Sequence, residues 1–544
     1  MFEIVKFIEN LGLSSELIQS GNPELGSDVA VPCFGLAKEL KKPPQEIAEG
    51  FASKIDHPQI EKAEAISGYL NIWFNDGHLF ELASNSTESN QEHKDKVIVC
   101  EYGDPNPLKV LHAGHLYTGI VGDAIANLYE YAGGEVHRVN FGGDVGLHIG
   151  RAMWAIFRAI DNDPAKLSTI PKEQRQDWLS ARYVEGNAAY TNNEAAQQEI
   201  KEVNKDIYRV HRENDKESAI AKAYWICRQW SYDYFDEFYA RLGVEFEKYY
   251  PESEGAELGL QIIKEQLEKG VYKESDGAII FEGESHGLHT RVFVNSEGLP
   301  TYETKDVGLI FNKWRDYEFD ESVMITGSDQ LEYMKVVQKS IEQYEPKLVE
   351  RTKHLTHGIV KLSGGVKMSS RLGNFLKAVD ILDTAAEAAA EQSKDNPGVV
   401  IAAVKYAFLK HTIGSDIHYD PEESVSTTGN SGPYLQYAHA RACGIVNKST
   451  VSPQIPVSLD EGERILVRKI ADFNQVLEEA TAALAPNRIC NYLFELTQTF
   501  NRFYEGNRVI ESDREAQRIA ILDSYKKVLS TGLGLLGIEA PERV

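Results

Sequence analysis

His112-Ala113-Gly114-His115 sets two imidazoles three residues apart around a glycine. That spacing brings both rings to one face of a helix. The motif lies about ten residues past an apolar, β-branched run and opens a stretch of helical periodicity. A helix N-terminus offers unpaired N–H groups and the positive end of a dipole, which favours phosphate. Two imidazoles would add donors aimed at the same anion, and Gly114 would let a flat base lie against the backbone. The alternatives are a zinc pair or two surface histidines. A zinc pair calls for H-E-x-x-H or a third ligand at suitable spacing, and the sequence shows neither. A second candidate is Lys367-Met368-Ser369-Ser370-Arg371, in a loop that begins at Ser363-Gly364-Gly365. A cationic loop of this kind can close over a polyphosphate and stabilise charge moving to the leaving group; in isolation it also reads as a solvated surface loop. Two familiar phosphate motifs fail. Asp144 breaks the glycine spacing in Gly142-Gly143-Asp144-Val145-Gly146, and no G-x-x-x-x-G-K-[ST] occurs.

The elements that must position these groups follow from periodicity. Val97–Tyr102 reads as a buried strand, Gly114–Tyr131 as a helix stopped by Gly133-Gly134, and Val136–Phe141 as the next strand. Strand, helix, strand within about 45 residues is a βαβ unit and implies a parallel sheet. From Leu147 to Glu247 the pattern is helical, an insertion within the α/β domain. Strand signals return at Gly277–Phe281, Thr290–Asn295 and Ser322–Thr326, and from Ile381 the chain is helical again. Residues 1–85 form a small α+β unit. Its helices are expected at Met1–Leu11 and Phe34–Ile55, the second cut by Pro43 and Pro44, and its strand at Gly68–Phe74. Ala83–Lys96 is polar and aperiodic, which reads as a linker. The expected divisions are 1–85, a linker 86–96, an α/β domain 97–380 with its mainly helical insertion at 147–250, a helical connection 381–428, and an all-α bundle 429–544.

Composition narrows the class. The 544 residues suffice for two to four domains, and 42% hydrophobic with 26% charged excludes wholesale disorder. A net charge of −26 and a pI near 5.1 argue against a protein that coats nucleic acid through bulk positive charge. No apolar run approaches the roughly 18 residues of a membrane span, and the first residues carry no secretory pattern. The five cysteines, Cys33, Cys100, Cys227, Cys443 and Cys490, form no C-x-x-C, which fits a reducing cytoplasm without zinc. The charge is uneven. Residues 346–371 hold six basic residues (Lys347, Arg351, Lys353, Lys361, Lys367, Arg371) against Glu350, whereas residues 1–95 hold seven basic and sixteen acidic. A local basic track on an acidic body would admit RNA along one face.

Together the H-x-G-H and K-M-S-x-[KRS] pair resembles the two signatures of class I aminoacyl-tRNA synthetases, and within that class the chain resembles the arginyl-tRNA synthetase family. Asp104-Pro105-Asn106 is similar to the family's S-x-P-N stretch, Tyr302-Glu303-Thr304-Lys305-Asp306 to Y-x-T-[KR]-D, and Ser328-Asp329-Gln330 to S-x-Q. Residues Gly429–Arg441 resemble the start of the anticodon-binding bundle, Gly534–Val544 the C-terminus, and the unit ending in Gly68–Phe74 the additional N-terminal tRNA-binding domain. The resemblance covers nearly the whole chain. It implies a Rossmann-type catalytic domain and a cytoplasmic, monomeric arginine–tRNA ligase with ATP, Mg²⁺, L-arginine and tRNA(Arg) as its partners.

It also implies roles. His112 and His115 would steady the triphosphate, Gly114 would lie under the adenine, and Lys367 with Met368 and Ser369 would close on the phosphates. Tyr302, Asp306 and Glu252 would bind the guanidinium. Asn106 and Gln330 would hold the α-ammonium and polar groups of arginine. Tyr434, Tyr437 and Arg441 are candidate tRNA contacts, although their spacing also suits core packing. A second reading is a non-catalytic tRNA-binding paralogue, but His112, His115, Lys367 and Asp306 are all present. Small nucleotidyltransferases need neither the insertion nor the bundle, and the zinc-binding cysteines of a cysteine-specific synthetase are absent. The chain departs from the family at Ser370 in place of a second lysine, at Tyr117 where arginine is common, and at Val544 where Met is common. Lys109, three residues before His112, stands where family members without the loop lysine carry a compensating one. Lys109→Ala is therefore expected to slow adenylate formation with little effect on folding; equal rates for variant and parent would sink the compensation.

Overall fold

In the computed structural model, which describes residues 13–14, 17–22, 25–89, 91–363, 376–391 and 396–543, the N-terminal unit is an antiparallel sheet. Its strands are β1 (Gln19–Ser20), β2 (Val29–Pro32), β3 (Ile60–Ile66) and β4 (Tyr69–Phe74), in the order β1-β2-β4-β3. Ser67 and Gly68 join β3 to β4 with φ of 52° and 81°, the pair of positive values a two-residue hairpin turn requires. The prolines cut the expected helix into Ala37–Leu40 and Pro44–Ala52. The expected Met1–Leu11 helix, the Lys367–Arg371 motif and Val544 lie outside the described residues.

The polar stretch after this unit is not a loose tether. Its first two residues finish the helix Asp76–Ser84. Beyond them Ser89 Oγ donates to the Tyr131 carbonyl at 2.5 Å, the Tyr131 hydroxyl bonds the Thr87 carbonyl, and His93 N donates to the Ala132 carbonyl at 2.9 Å. Composition registers the polarity of such a segment but not the partners of its donors.

The main sheet is parallel throughout. β5 (Val97–Glu101), β6 (Glu135–Gly142) and β7 (Lys248–Pro251) run to one side. A small antiparallel sheet, β8 (Lys273–Ser275), β9 (Ala278–Phe281) and β10 (Arg291–Val294), interrupts the sequence. β11 (Glu321–Gly327) and β12 (Thr352–His357) then complete the order β12-β11-β5-β6-β7. β5 is apolar on both faces, as a strand covered on both sides must be. The winding reverses beside it, which opens a crevice at the carboxyl ends of β5 and β11, the place where open parallel sheets bind ligands.

The helix Ala113–Tyr131 follows β5 and is buried along most of its circumference. The insertion is helical as expected (Leu147–Ala159, Arg175–Asn192, Glu194–Arg212, Ala219–Leu242), with its own core around Met153, Ile156, Leu179, Ile207 and Tyr224. The stretch read as a helical connection contains a strand. β13 (Val360–Leu362) pairs in parallel with β14 (Ile417–Tyr419), three residues that leave no period to read. The C-terminal bundle comprises Gly432–Val446, Glu461–Ala471, Phe473–Ala482, Pro486–Gly506 and Glu515–Leu535.

Two buried ionic nodes tie these parts together. Lys405, on the helix Pro397–Leu409, lies 3.6 Å from Asp123 of the Ala113–Tyr131 helix and donates to the Gly537 carbonyl at 2.8 Å; nearby, Asn127 Nδ2 reaches the Leu535 carbonyl. Arg464 of the bundle pairs with Asp28 at 2.5 Å and with Asp76, and donates to the Phe74 carbonyl at 3.0 Å. Asp28 is almost wholly buried, so Arg464→Ala strands a carboxylate at the junction of the N-terminal unit and the bundle. We expect a loss of about 3 kcal/mol in denaturant unfolding and faster proteolysis between residues 84 and 96; an unchanged transition with unchanged cleavage would refute the docking role.

Candidate active site

The two histidines of the sequence motif form a reciprocal cap. His112 is the N-cap, in extended conformation, and its Nδ1 accepts from Gly114 N at 3.1 Å; His115 Nδ1 accepts from His112 N at 3.1 Å. Each cap satisfies a backbone N–H that a helix start otherwise leaves unpaired. It also fixes the tautomers. With Nδ1 accepting, the ring proton of each neutral imidazole sits on Nε2. The rings stack at 3.8 Å. Burial, with Lys109 and His357 nearby, pushes His112 down to about 4; burial and His112 hold His115 well below the usual range. Both rings are therefore neutral donors at neutral pH.

This cap is clasped to the far side of the cationic loop. Ala113 N donates to the Leu376 carbonyl and Ala378 N to the Leu111 carbonyl, both at 2.9 Å, around an antiparallel bridge between His112 and Lys377. The residue that follows the loop motif in the described chain is thus fixed beside the histidines. His357, at the end of β12, adds a third imidazole: its Nδ1–H donates to the Gly358 carbonyl at 2.7 Å and its ring packs on Tyr117 at 4.7 Å. A Cβ on Gly114 would meet His112 Cε1 at 2.9 Å and His357 Cε1 at 3.7 Å, so only glycine fits between the rings.

The turn after β5 faces the loop after β6. Asp104, at φ 48°, accepts from Phe141 N at 2.9 Å and so fastens one to the other. Asn106 reaches Gly143 so closely that a Cβ there would lie 2.1 Å from Asn106 Oδ1. His148 Nε2–H donates to the Gly143 carbonyl at 2.8 Å, which leaves Nδ1 to accept from the Tyr302 hydroxyl at 3.3 Å. Asp144, the residue that spoils the glycine motif, is fully buried and accepts from Arg228 Nε at 3.0 Å and from Ser253 N at 2.9 Å. It joins the loop to the insertion and to the helix Glu252–Glu268.

Across the crevice stands an acidic cluster. Tyr302 and Asp306 lie one turn apart on the helix Tyr302–Tyr317. Asp306 accepts from the Tyr333 hydroxyl at 2.7 Å, and the same hydroxyl is 3.4 Å from Gln330 Oε1. Burial raises Asp306 well above the usual carboxylate range, the Tyr333 bond opposes that, and Glu101, Glu252 and Glu303 add to it. Each of those three acids has its own cation: Glu101 pairs with Lys313, Glu252 with Lys305 at 2.5 Å, and Glu303 with Arg291 at 3.4 Å. The Lys305 ammonium also donates to the Val145 carbonyl at 3.1 Å, so Glu252 is engaged from within the chain.

Contacts thus link Asn106 through Gly143 and His148 to Tyr302, Gln330 through Tyr333 to Asp306, and Gly114 with the two motif histidines to His357, while Glu252 is held by Lys305. Lys109 is half-buried, 5.8 Å from the Tyr183 ring, and burial lowers its pKa. Tyr117 is buried between His357 and Phe408, and burial pushes its hydroxyl up to about 12. In the bundle, Tyr434 packs on Phe494 and accepts from Asn501 Nδ2 at 2.8 Å, whereas Tyr437 is exposed with the Arg441 guanidinium 5.1 Å from its ring. The basic stretch is partly neutralised: Lys353 pairs with Glu321 at 2.7 Å and Lys361 with Asp416 at 3.1 Å. His148, His357, Lys305 and Tyr333 escape a reading of the sequence as site residues. The one local signal for them is Tyr333 three residues after Gln330, the spacing of one helical face.

Comparison with known proteins bears on this arrangement. The family model described as tRNA synthetases class I (R), catalytic domain, matches residues 79–419. The arginyl tRNA synthetase N terminal domain matches 3–74, and the DALR anticodon binding domain matches 435–544. The chain is 28% identical over 575 residues to an arginine–tRNA ligase of Bacteroides thetaiotaomicron, covering 97% of this chain and 95% of that one. It is 29% identical over 550 residues to arginine–tRNA ligase 1 of Bacillus thuringiensis, covering 97% and 96%. In fold it is similar to the arginyl-tRNA synthetase of Thermus thermophilus, with a TM-score of 0.81 at 24% identity over 99% and 98% of the two chains. It is also similar to that of Plasmodium falciparum, with a TM-score of 0.78 at 20% identity over 97% and 94%.

The cap geometry makes a direct prediction. The His112 ring proton resonances should show no titration between about pH 5.5 and 8, the span in which an ordinary histidine changes charge. A midpoint near 6.5 in a proton–nitrogen NMR titration would overturn the assignment of a neutral, Nε2-protonated ring.

Proposed function

The chain belongs to the class I arginyl-tRNA synthetase family, and on that premise we propose how its own residues perform ATP-dependent arginine–tRNA ligation. Arginine's carboxylate attacks the α-phosphorus of ATP to give arginyl-adenylate and pyrophosphate; a ribose hydroxyl of the terminal adenosine of tRNA then takes the arginyl group and AMP leaves. No covalent nucleophile on the protein is needed, and the residues act through position and charge.

The observation that carries the reading is the division of the crevice into two halves of opposite character. On one side lie a helix N-terminus and the Nε2–H donors of His112 and His115, suited to a triphosphate. On the other lies Asp306, an acid among acids, suited to a guanidinium. We assign Asp306 and Tyr302 to the head group of arginine, with Glu252 shaping the pocket through Lys305. Asn106 and Gln330 serve the α-amino end, and Gly114 the base. Lys367, with Met368 and Ser369, is assigned to the phosphates, and Lys109 adds charge beside His112. Mg²⁺ enters with ATP, its ligands being phosphate oxygens and water.

We divide the labour among domains as the N-terminal unit and the bundle for tRNA and the parallel-sheet domain for chemistry. The exposed Tyr437 and Arg441 are the candidate contacts in the bundle, and Tyr434 supports their helix. A cytoplasmic location fits five buried free cysteines, and no helix among the described residues is long and apolar enough to cross a membrane. We take the chain to act as a monomer.

Charging of tRNA with each amino acid in turn tests the substrate, and transfer of any amino acid other than arginine would overturn it. Asp306→Asn keeps the shape and removes the charge. It should raise the KM for arginine on the order of 100-fold. Because a guanidinium stabilises the ionised carboxylate, arginine binding should also release a proton and weaken as pH falls; that dependence should vanish in the Asn variant.

A further inference from the structure

We propose that Tyr333 is a positioning residue for the amino-acid substrate: its hydroxyl pins the Asp306 carboxylate in one plane, ready for a planar guanidinium, and so favours that head group over a primary ammonium. The proposal rests on the assignment of Asp306 made above.

Four acids surround the pocket, and three of them are already compensated. Glu101 has Lys313, Glu252 has Lys305 and Glu303 has Arg291. Asp306 differs: among the described residues it forms no ion pair, and its hydrogen-bond partner is the uncharged phenol of Tyr333 at 2.7 Å. A cation beside it would neutralise the site before substrate arrived. A phenol instead fixes the carboxyl group and leaves the counter-cation to be supplied by the ligand. The hydroxyl has one proton, and its two acceptors lie at 2.7 Å on Asp306 and 3.4 Å on Gln330, so the bond goes to the carboxylate.

The phenol is itself well held. Tyr333 stands in the first turn of the helix Leu331–Glu342, three residues beyond Gln330, which closes the turn Ser328–Gln330 after β11. The Arg291 guanidinium that pairs with Glu303 lies 6.0 Å from its ring centre. An aspartate left alone turns broadly about its last torsion. Paired N–H···O bonds to a guanidinium require the two groups to be coplanar, whereas an ammonium accepts any orientation. Pinning the plane therefore rewards arginine.

The test is Tyr333→Phe, which keeps the ring and deletes the hydroxyl, assayed beside Asp306→Asn and the double variant. Loss of one hydrogen bond to a charged group should raise the arginine KM about tenfold, with the ATP KM and the melting temperature near parental values. The double variant should behave as Asp306→Asn alone, since the phenol acts through that carboxylate. The phenol bond also favours the ionised acid, so in Tyr333→Phe the pH at which arginine binding weakens should move upward. The other charged groups facing Asp306 are untouched by the change: Glu101 and Asp104 from β5 and its turn, Glu252 beyond β7, Glu303, Lys305 and Lys313 on its own helix, and Arg291 from β10. An unchanged arginine KM overturns the proposal. So does an equal rise in the KM values of arginine and ATP, or the same factor in the Asn background. If Asp306→Asn itself leaves the arginine KM unaltered, the assignment of Asp306 falls and the proposal with it.

Discussion

A parallel sheet delivers its chain crossings to one edge, and that constraint organises this molecule. The turn at Asp104, the loop 142–146, the start of the helix at Glu252, the Ser328–Gln330 turn and His357 all follow the carboxyl end of a strand. They come from distant parts of the sequence, yet the register of the ladders sets them side by side. The winding reverses beside β5, between it and β11. The helix Ala113–Tyr131 follows β5, and its first N–H groups are paired with the Leu376 carbonyl, the His112 ring and the His112 carbonyl.

The electrostatics of the crevice follow from burial. Histidines withdrawn from water stay neutral, so His112, His115 and His148 supply directed donors and acceptors without adding net charge. Carboxylates withdrawn from water must find cations, and Lys313, Lys305 and Arg291 take three of them. Asp306 forms no ion pair among the described residues and accepts from the Tyr333 hydroxyl instead. The rigid scaffolding of Asp144 and Asp104 holds the loops on which the other groups stand.

The local features were legible in the sequence because they rest on short periods. The strand at Val97, the helix after Gly114, its end at Gly133-Gly134 and the proline break near residue 43 each follow from a few neighbouring residues. Tyr302 and Asp306 could be placed on one face by their spacing alone. What escaped was long-range. Lys305 meets Glu252 across 53 residues, and Tyr302 meets His148 across 154. No period encodes such partners. The polar stretch 86–96 and the strand Ile417–Tyr419 escaped for the same reason, since the hydrogen bonds that order them go to distant segments. In the basic stretch 346–371, counting charges along the chain does not register that Lys353 and Lys361 pair with Glu321 and Asp416.

The node at Lys405 sets an order on assembly. The helix that carries the histidines emerges early in synthesis, but its buried Asp123 shares an ammonium with a carbonyl near the other end of the chain, and Asn127 reaches a partner 408 residues away. Contacts of such sequence separation form slowly, because a very long loop must first be closed. Until the Gly537 carbonyl arrives, Lys405 lacks one of its two partners. The helix that begins at the histidine motif thus leaves the ribosome early but is among the last to gain its complete surroundings. Nascent chains would hold a formed sheet well before they hold a finished active-site helix.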